Sequence, residues 1–377
     1  TNWRNETMRN IVELNTSFEL ANPVKDDVTI KDQAKFKQMV EICSALFTGT
    51  DAGKYGTQKD AVAKKLSALG EAAAMGDFKA RAEINTIVKF IIEPKLLDAM
   101  KIYDFLGNYH ELAYHEQPKV KTYNYEGIDA RMQAANSDVS FAGRNWMEYP
   151  VATRTISAGM AIDYRELASG NFDGTIAEEM AQVQVDMNNK GVAYVLGVLK
   201  KSLANNTKYV KNYSTYTGDL PTEADVAKRV AFTRKMGKVA ILGDYSLIQE
   251  ISGWNGYKTV GDTKIPFYSP SQVDEIAKAG VNGFYKGSTL VELENPFNYT
   301  KPLADKSGFE TYYADDELYF TAAGNKSPLN IFRRGGIRTM SGTDVETGTI
   351  KTRFDVELGA DVVKGREFEI GLLAKQS

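Results

Sequence analysis

The sequence TIKTRFDVELGADVV, at Thr349–Val363, alternates apolar and polar side chains near the end of the chain. One face carries apolar or small side chains, namely Ile350, Thr352, Phe354, Val356, Leu358 and Ala360. The opposite face carries charged side chains, namely Lys351, Arg353, Asp355, Glu357 and Asp361. Strict alternation over this length is typical of a β-strand with one buried and one solvent-exposed face. We therefore predict a long strand whose apolar face needs a sheet or a helix to cover it.

A long helix is predicted earlier in the chain, at Thr175–Leu203. Thr175 and Glu178 form the pattern of a capping box at its start, and the pair Asn205-Asn206 is typical of its end. At about 1.5 Å per residue the helix spans about 43 Å. Its apolar stripe consists of Ile176, Met180, Val183, Met187, Tyr194, Val195, Val198 and Leu199. This helical spacing favours a core-facing surface over a cofactor site.

A long two-stranded excursion is predicted over residues 117–155. Lys119–Tyr125 and Trp146–Ile156 form its extended arms, and each arm reaches about 40 Å at about 3.3 Å per residue. The arms hold so few aliphatic residues that we expect this hairpin to lie on a neighbouring subunit and not on its own domain. Aromatic residues and arginine anchor interfaces, so the expected intersubunit contacts are Tyr123, Tyr125, Arg131, Arg144, Trp146 and Tyr149. Local packing within the hairpin is the alternative for each of them.

Shorter elements are predicted between these landmarks. Residues 1–83 are polar and mostly helical, and Ile84–Ile92 is a strand-like apolar run. Lys238–Gly243 is predicted as a buried strand, after which Asp244 caps a short helix at Tyr245–Ile251. Gly and Pro recur through residues 253–302, which indicates many turns.

The composition is that of an ordinary globular protein. The 377 residues are 43% hydrophobic and 25% charged, and the formal net charge of −3 argues against a general nucleic-acid binder. Aromatic residues make up 11%, which suits large contact surfaces. The single cysteine, Cys43, excludes an internal disulfide and is predicted as a buried hydrophobe. We find no apolar run near the roughly 20 residues of a membrane helix, and no membrane association is expected.

No recognisable catalytic apparatus is found. His110 and His115 are five residues apart and do not share a helical face, so a zinc site is not expected, and neither is a cofactor or an enzymatic activity. Asp315–Glu317 is interpreted as a solvated turn in preference to a cation site. The pair Arg333-Arg334 is interpreted as a charged strand–turn junction, with contact to a phosphate or a partner carboxylate as the alternative. The locally basic stretch 200–238 is either a charged rim or a DNA contact.

The order of the elements resembles the major capsid proteins of tailed phages, which have the Hong Kong 97 type of fold. The resemblance covers about residues 84–377. It rests on MAIDYREL at 160–167, VAILGD at 239–244, GDTKIP at 261–266, IFRRGGIRTM at 331–340 and GTIKTRF at 348–354, together with the lead-in 84–106, the loop 117–155 and the helix 175–203.

The resemblance implies an α+β protomer with a long spine helix, a peripheral domain, an axial domain and an extended two-stranded loop. The expected parts are an N-terminal helical arm (1–83), a peripheral-domain lead-in (84–116), the extended loop (117–155), the peripheral segment with the spine helix (156–204), the axial domain (205–335), the long peripheral strands (336–366) and a C-terminal strand (367–377). Some members of the family cross-link through a lysine of the extended loop. Because no lysine occurs between Lys121 and Lys190, no such cross-link is expected here.

The resemblance also implies a function and partners. Copies of the chain are expected to form hexamers and pentamers of an icosahedral shell around double-stranded DNA, which is contacted without sequence specificity. Portal, scaffolding and decoration proteins are the other expected partners, in a virion capsid assembled in the host cytoplasm. The alternatives are an encapsulin-like nanocompartment that holds protein cargo and no DNA, and a soluble enzyme, which predicts a small oligomer.

Overall fold

A computed structural model describes residues 56–80, 102–123, 146–163, 175–205, 212–254, 257–260, 263–266, 283–322, 327–344 and 349–376, together with residues 42, 84, 88 and 132. The chain divides into two compact units. The first unit comprises residues 1–100, 155–188 and 337–356, and the second comprises residues 101–154, 189–336 and 357–377.

Helices and strands are mixed along the described part of the chain. The helices are α1 (Gly56–Ala74), α2 (Tyr103–Leu106), α3 (Thr175–Asn205), α4 (Glu223–Thr233) and α5 (Tyr245–Trp254). The strands are β1 (Asn108–Leu112), β2 (Lys119–Tyr123), β3 (Trp146–Pro150), β4 (Thr153–Asp163), β5 (Tyr213–Tyr216), β6 (Val239–Gly243), β7 (Tyr257–Val260), β8 (Thr263–Pro266), β9 (Phe284–Tyr285), β10 (Ser288–Glu292), β11 (Phe297–Pro302), β12 (Phe309–Thr311), β13 (Glu317–Ala322), β14 (Leu329–Asp344), β15 (Thr349–Val362) and β16 (Gly371–Lys375). The α+β class predicted from the sequence is confirmed.

A six-stranded sheet forms the core of the second unit, in the order β5-β16-β13-β6-β10-β9. Strands β6 and β10 are parallel, whereas β13 runs antiparallel to both β6 and β16. All five residues of β6 are buried, as is typical of a central strand covered on both faces. Helices α4 and α5 cover one face with apolar side chains, and the cluster includes Val226, Val230, Leu247, Ile251, Ile241, Phe320 and Leu373. On β13, the Thr321 hydroxyl donates to the Phe105 carbonyl over 3.0 Å.

Helices α4 and α5, which cover the six-stranded sheet, each begin at a residue whose side chain caps the helix. The backbone N–H of Ser246 donates to Asp244 Oδ1 over 3.0 Å, so Asp244 caps α5 as predicted. The backbone N–H of Asp225 donates to Thr222 Oγ1 over 3.3 Å at the start of α4. Helix α5 continues to Trp254, three residues beyond the predicted end, and the predicted strand at 238–243 is confirmed as β6.

The second sheet contains the long strand predicted first, and its order is β1-β14-β15-β4. Strands β14 and β15 each pass from one unit into the other along the chain. Within the second unit, β1 pairs in parallel with the start of β14, from Asn108 opposite Asn330 to Leu112 opposite Arg334.

The alternation predicted for β15 is confirmed, with one exception. Thr352, Phe354, Val356, Leu358 and Ala360 are all buried. Asp355 was predicted on the solvent-exposed face, but it is only 6% exposed. The reason is local pairing within the first unit. Arg353 Nε donates to Asp355 Oδ1 over 2.7 Å, and Arg353 also donates to Ser157 Oγ over 3.0 Å. A carboxylate with such partners is far less costly to bury than an unpaired one.

The long helix α3 is confirmed and ends at Asn205, two residues beyond the prediction. The strand-like run predicted at Ile84–Ile92 is wrong where the structure describes it, because Ile84 and Val88 are helical. These residues are both buried and four positions apart, so they lie on one helical face. Cys43 lies outside the described residues.

Candidate functional site

The paired strands β2 and β3 form the described part of the predicted extended loop. Their register places Val120 opposite Tyr149, Lys121 opposite Glu148 and Tyr123 opposite Trp146. Because side chains alternate along a strand, Val120 and Tyr149 share one face, and Lys121 and Glu148 share the other. We call these the inner face and the outer face of the hairpin.

The inner face is anchored to the chain's own second unit. Val120 and Val151 are buried in an apolar cluster with Phe332 and Val363. The Thr122 hydroxyl donates to the Lys364 carbonyl over 3.0 Å. The expectation that the hairpin leaves its own domain is therefore wrong for these base residues, which pack against their own subunit. The residues beyond the base, 124–145, lie outside the described part of the chain apart from Met132.

Tyr149 ties the same base to the end of β15. Its hydroxyl donates to the Val362 carbonyl over 3.2 Å and accepts from the Lys364 backbone N–H over 3.3 Å. The Lys364 ammonium lies 4.4 Å from the centre of the Tyr149 ring. Burial, followed by the nearby negative charge of Asp361, raises the pKa of Tyr149 to about 12. The described contacts of Tyr149 are thus within its own chain.

The outer face leaves a large aromatic side chain in water. Trp146 is 57% exposed, and the Lys121 ammonium lies 5.1 Å from the centre of its ring. Lys121 also pairs with Glu148, with 3.3 Å between nitrogen and oxygen. Met147, the next residue along β3, lies opposite Thr122 on the inner face and is 71% exposed. A rigidly held strand pair with such exposed apolar side chains is a candidate contact surface.

The six predicted contact residues thus have different outcomes. Trp146 is available at the surface, and Tyr149 makes contacts within its own subunit, with Val362 and Lys364 outside the hairpin. The backbone places Tyr123 opposite Trp146. Tyr125, Arg131 and Arg144 lie outside the described residues. Contact with another subunit stays a prediction for all six.

A second exposed aromatic surface was missed by the sequence predictions. It lies on the hairpin of β11 and β12, where Phe297 is 56% exposed and Tyr299 is 63% exposed. Tyr299 packs edge-to-face on Phe309, with 5.2 Å between ring centres. Asp305 Oδ1 accepts from the backbone N–H and the hydroxyl of Ser307, which fixes the connecting turn. The only sequence signal is the alternation of Phe297 and Tyr299, which does not show that these rings stay exposed.

The two arginines singled out in the sequence, Arg333 and Arg334, make ion pairs and hydrogen bonds within the second unit. Arg333 is 8% exposed and pairs with Glu111, with 2.8 Å between nitrogen and oxygen. Arg334 donates to the Tyr114 carbonyl over 2.9 Å and lies 3.4 Å from Glu357. The interpretation of this pair as a strand–turn junction is wrong, because both arginines lie within strand β14. Their charges are paired within the chain.

Two kinds of feature are absent from the described residues. No group of three or more His, Cys, Asp or Glu side chains is placed there to hold a metal ion. Among the helices of that same part, none combines the length and the apolarity that a membrane crossing requires.

The fold is similar to chains of several particle structures, at low sequence identity. One chain from Microbacterium phage Oxtober96 is 10% identical, with a TM-score of 0.49 over 72% of this chain and 91% of that one. The capsid of an empty GTA particle gives 11% identity and a TM-score of 0.46, over 74% and 90% of the two chains. The SrpI encapsulin of Synechococcus elongatus PCC 7942 gives 12% identity and a TM-score of 0.40, over 75% and 88%.

A protein-family comparison decides the assignment. Among curated protein sequences, no significant match is found. The family described as "SPbeta prophage-derived putative capsid protein YonB" matches residues 20–374, which is nearly the whole chain. This match confirms the capsid-protein resemblance that the element order predicted. The chain belongs to the YonB family of prophage-derived capsid proteins.

Proposed function

We propose that this capsid protein is the major subunit of an icosahedral shell of the Hong Kong 97 type that encloses double-stranded phage DNA. In this proposal, hexamers and pentamers of the chain make up the shell. The role is structural and is carried by contacts between subunits, without a catalytic step. The place of action is the virion capsid, after assembly in the host cytoplasm.

The observation that carries the proposal is the outer face of the β2–β3 hairpin. Its backbone is held firmly by the inner face, yet Trp146 remains 57% exposed. Exposed apolar side chains on an ordered element are typical of a surface that another protein covers. In a capsid protein, the partner available in the highest copy number is another copy of the same chain. Obligate interfaces of this kind bury upwards of about 2,000 Å².

The described elements support an assignment of parts. We take the hairpin within 117–155 as the extended loop, helix α3 as the spine helix, and β14 and β15 as the long strands of the peripheral domain. The six-stranded sheet is taken as the core of the axial domain predicted at 205–335. Strand β16, at Gly371–Lys375, pairs with β5 and β13 in this sheet, so the proposed axial domain also includes the end of the chain.

The proposal extends to partners. Contacts with packaged DNA are directed to phosphates and do not depend on base sequence. A net charge of −3 fits a shell protein that touches DNA through a limited surface and does not coat it. Portal, scaffolding and decoration proteins complete the particle in this proposal.

Electron microscopy of particles purified from a producing host tests the proposal, combined with nuclease treatment before DNA extraction. We expect closed icosahedral shells built mainly from this chain, with double-stranded DNA that resists nuclease. Shells filled with protein and free of DNA would contradict the DNA-packaging role. A product of 41.7 kDa or a low multiple of it would contradict shell formation altogether.

A further inference from the structure

The six-stranded sheet of the second unit carries opposite charges at its two ends. Because β6 and β10 are parallel neighbours, both begin at one end of the sheet and finish at the other. We call the end where they begin the basic edge and the end where they finish the acidic edge.

The basic edge is built from the end of α4 and the turn between β9 and β10. Lys238 directly precedes β6, and its ammonium lies 5.8 Å from the centre of the half-exposed Phe284 ring. Arg234 caps α4 and donates to the Lys286 carbonyl over 2.7 Å, which fixes the guanidinium at this edge. Lys235 follows Arg234 and is exposed. Three cationic side chains, those of Arg234, Lys235 and Lys238, therefore lie at one end of the sheet.

The acidic edge is built from the residues that follow β10 and precede β13. Glu292 ends β10, and the Leu293 backbone N–H donates to the Gly243 carbonyl over 2.8 Å. The Tyr313 hydroxyl donates to the Glu294 carbonyl, which joins the two loops of this edge. Asp315 follows two residues later and is exposed. Burial, followed by the negative charges of Glu294 and Asp244, raises the pKa of the Glu292 carboxyl, as expected in a local excess of carboxylates.

Internal ion pairs leave much of both charges uncompensated. At the basic edge Lys286 pairs with Glu223 over 3.0 Å, and at the acidic edge Lys200 pairs with Glu317 over 2.6 Å. Lys375 pairs with Asp219 over 3.1 Å. Six other charged side chains lie at the two edges, and none of them forms an ion pair within the described part of the chain. They are Arg234, Lys235, Lys238, Glu292, Glu294 and Asp315.

The two edges are too far apart to neutralise each other within one copy. Lys238 and Asp244 are six residues apart on an extended strand, so the edges are separated by about 20 Å. The Debye length is about 8 Å at physiological ionic strength, so exposed charges at this distance are largely screened from each other. A second copy of the same sheet, in contrast, is able to bring its opposite edge into direct contact.

We propose that the basic edge of one copy docks against the acidic edge of the next, head to tail, within the rings of this capsid protein. The inference rests on the proposed function, which supplies the second copy. Two different patches meet in such a contact, so it is heterologous, and a heterologous contact that closes generates a ring. Charge complementarity of this kind sets the partner and the register of an interface.

Charge reversal at each edge tests the docking. One variant carries Lys235→Glu and Lys238→Glu, and a second carries Glu292→Lys and Asp315→Lys. Each variant alone places like charges at the contact, so we expect the yield of rings and shells, measured by size-exclusion chromatography and electron microscopy, to fall at least tenfold at about 0.15 M salt. The matched control, Lys235→Arg with Lys238→Arg, keeps the charge and should assemble like the wild type.

Mixing the two reversed variants gives the sharpest result. One variant is acidic at both edges and the other is basic at both, so they alternate around a ring with an even number of subunits. We expect the mixture to recover hexamers but not pentamers, and hence not closed shells. A single chain with all four substitutions restores one edge of each sign and should recover both.

Several outcomes would overturn the inference while leaving the proposed function intact. One is normal shell assembly by both reversed variants while their thermal melting matches the wild type. Another is formation of normal shells that lack packaged DNA by the Lys235/Lys238 variant, which would make the basic edge a phosphate-binding surface. If a reversed variant does not fold, the wild-type protein still decides, since ring assembly that does not weaken between about 0.05 and 0.5 M salt contradicts an electrostatic contact. Absence of rings or shells from the wild type would instead overturn the proposed function.

Discussion

Replacement of Trp146 by alanine should separate assembly from folding. Within its own subunit the Trp146 ring is 57% exposed, and its described partner is the Lys121 ammonium at 5.1 Å. A cation–π contact at an exposed site contributes about 0.5–1 kcal/mol. The covered part of the ring, about 110 Å² of a tryptophan's roughly 250 Å², adds up to about 2.7 kcal/mol at about 25 cal/mol per Å². The free energy of unfolding of the isolated subunit should therefore fall by at most about 3 kcal/mol.

The cost to assembly is larger if a neighbouring subunit covers the ring. A tryptophan buries up to about 250 Å², so the 57% that is exposed corresponds to about 140 Å². At about 25 cal/mol per Å² this area is worth about 3.5 kcal/mol for each contact. Because about 1.4 kcal/mol is a factor of ten, each contact should weaken several-hundredfold.

The assay compares urea denaturation of the unassembled subunit with particle yield from size-exclusion chromatography and electron microscopy. Val120→Ala, on the inner face of the same hairpin, is the matched control because Val120 is 2% exposed. It should lower the free energy of unfolding by about 2 kcal/mol and affect assembly only through folding. Normal particle yield from Trp146→Ala would refute the proposed role of the outer face.

Three further predictions concern other parts of the chain. Gly335 has φ +71, and a Cβ there would clash with the Tyr114 ring, so Gly335→Ala should lower the urea midpoint by the equivalent of about 1–3 kcal/mol; an unchanged midpoint would contradict this. Burial opposes ionisation of Asp355, but hydrogen bonds from Ser157 and Arg353 outweigh it and hold the pKa of Asp355 below its ordinary value. That stabilisation is present above pH about 4 and is lost as the pH falls. Asp355→Asn should therefore have a lower melting temperature than the wild type at pH 7, and its melting temperature should fall less steeply as the pH is lowered. A fall as steep as that of the wild type would contradict the pairing. Denaturing gels of assembled particles should show no ladder of lysine-linked subunits from the extended loop predicted at 117–155, which has no lysine after Lys121, and a ladder would refute that expectation.

Local periodicity explains what the sequence predicted well. Strand β15 and helix α3 were predicted within a few residues because their apolar side chains repeat every two residues or at helical spacing. Strand β6 was equally clear, since a short apolar run followed by Asp244 marks both its end and the cap of the next helix. These signals lie within the segments themselves.

Non-local contacts explain what the sequence did not reveal. The anchoring of Tyr149 depends on Val362 and Lys364, more than 200 residues along the chain. The burial of Asp355 depends in part on Ser157, on a distant strand. The exposed rings of Phe297 and Tyr299 have the same side chains as buried core aromatics, so only the fold distinguishes them. Alternation predicts two faces of a strand, but it does not say what covers each face.

Sedimentation velocity of the purified protein, with electron microscopy of each resolved peak, tests the central claim most directly. The claim is that each subunit leaves apolar and charged surface that sister copies complete. The account predicts a dominant, fast-sedimenting population of closed shells built from many copies. A stable, compact species of 41.7 kDa as the end product under all assembly conditions would contradict it.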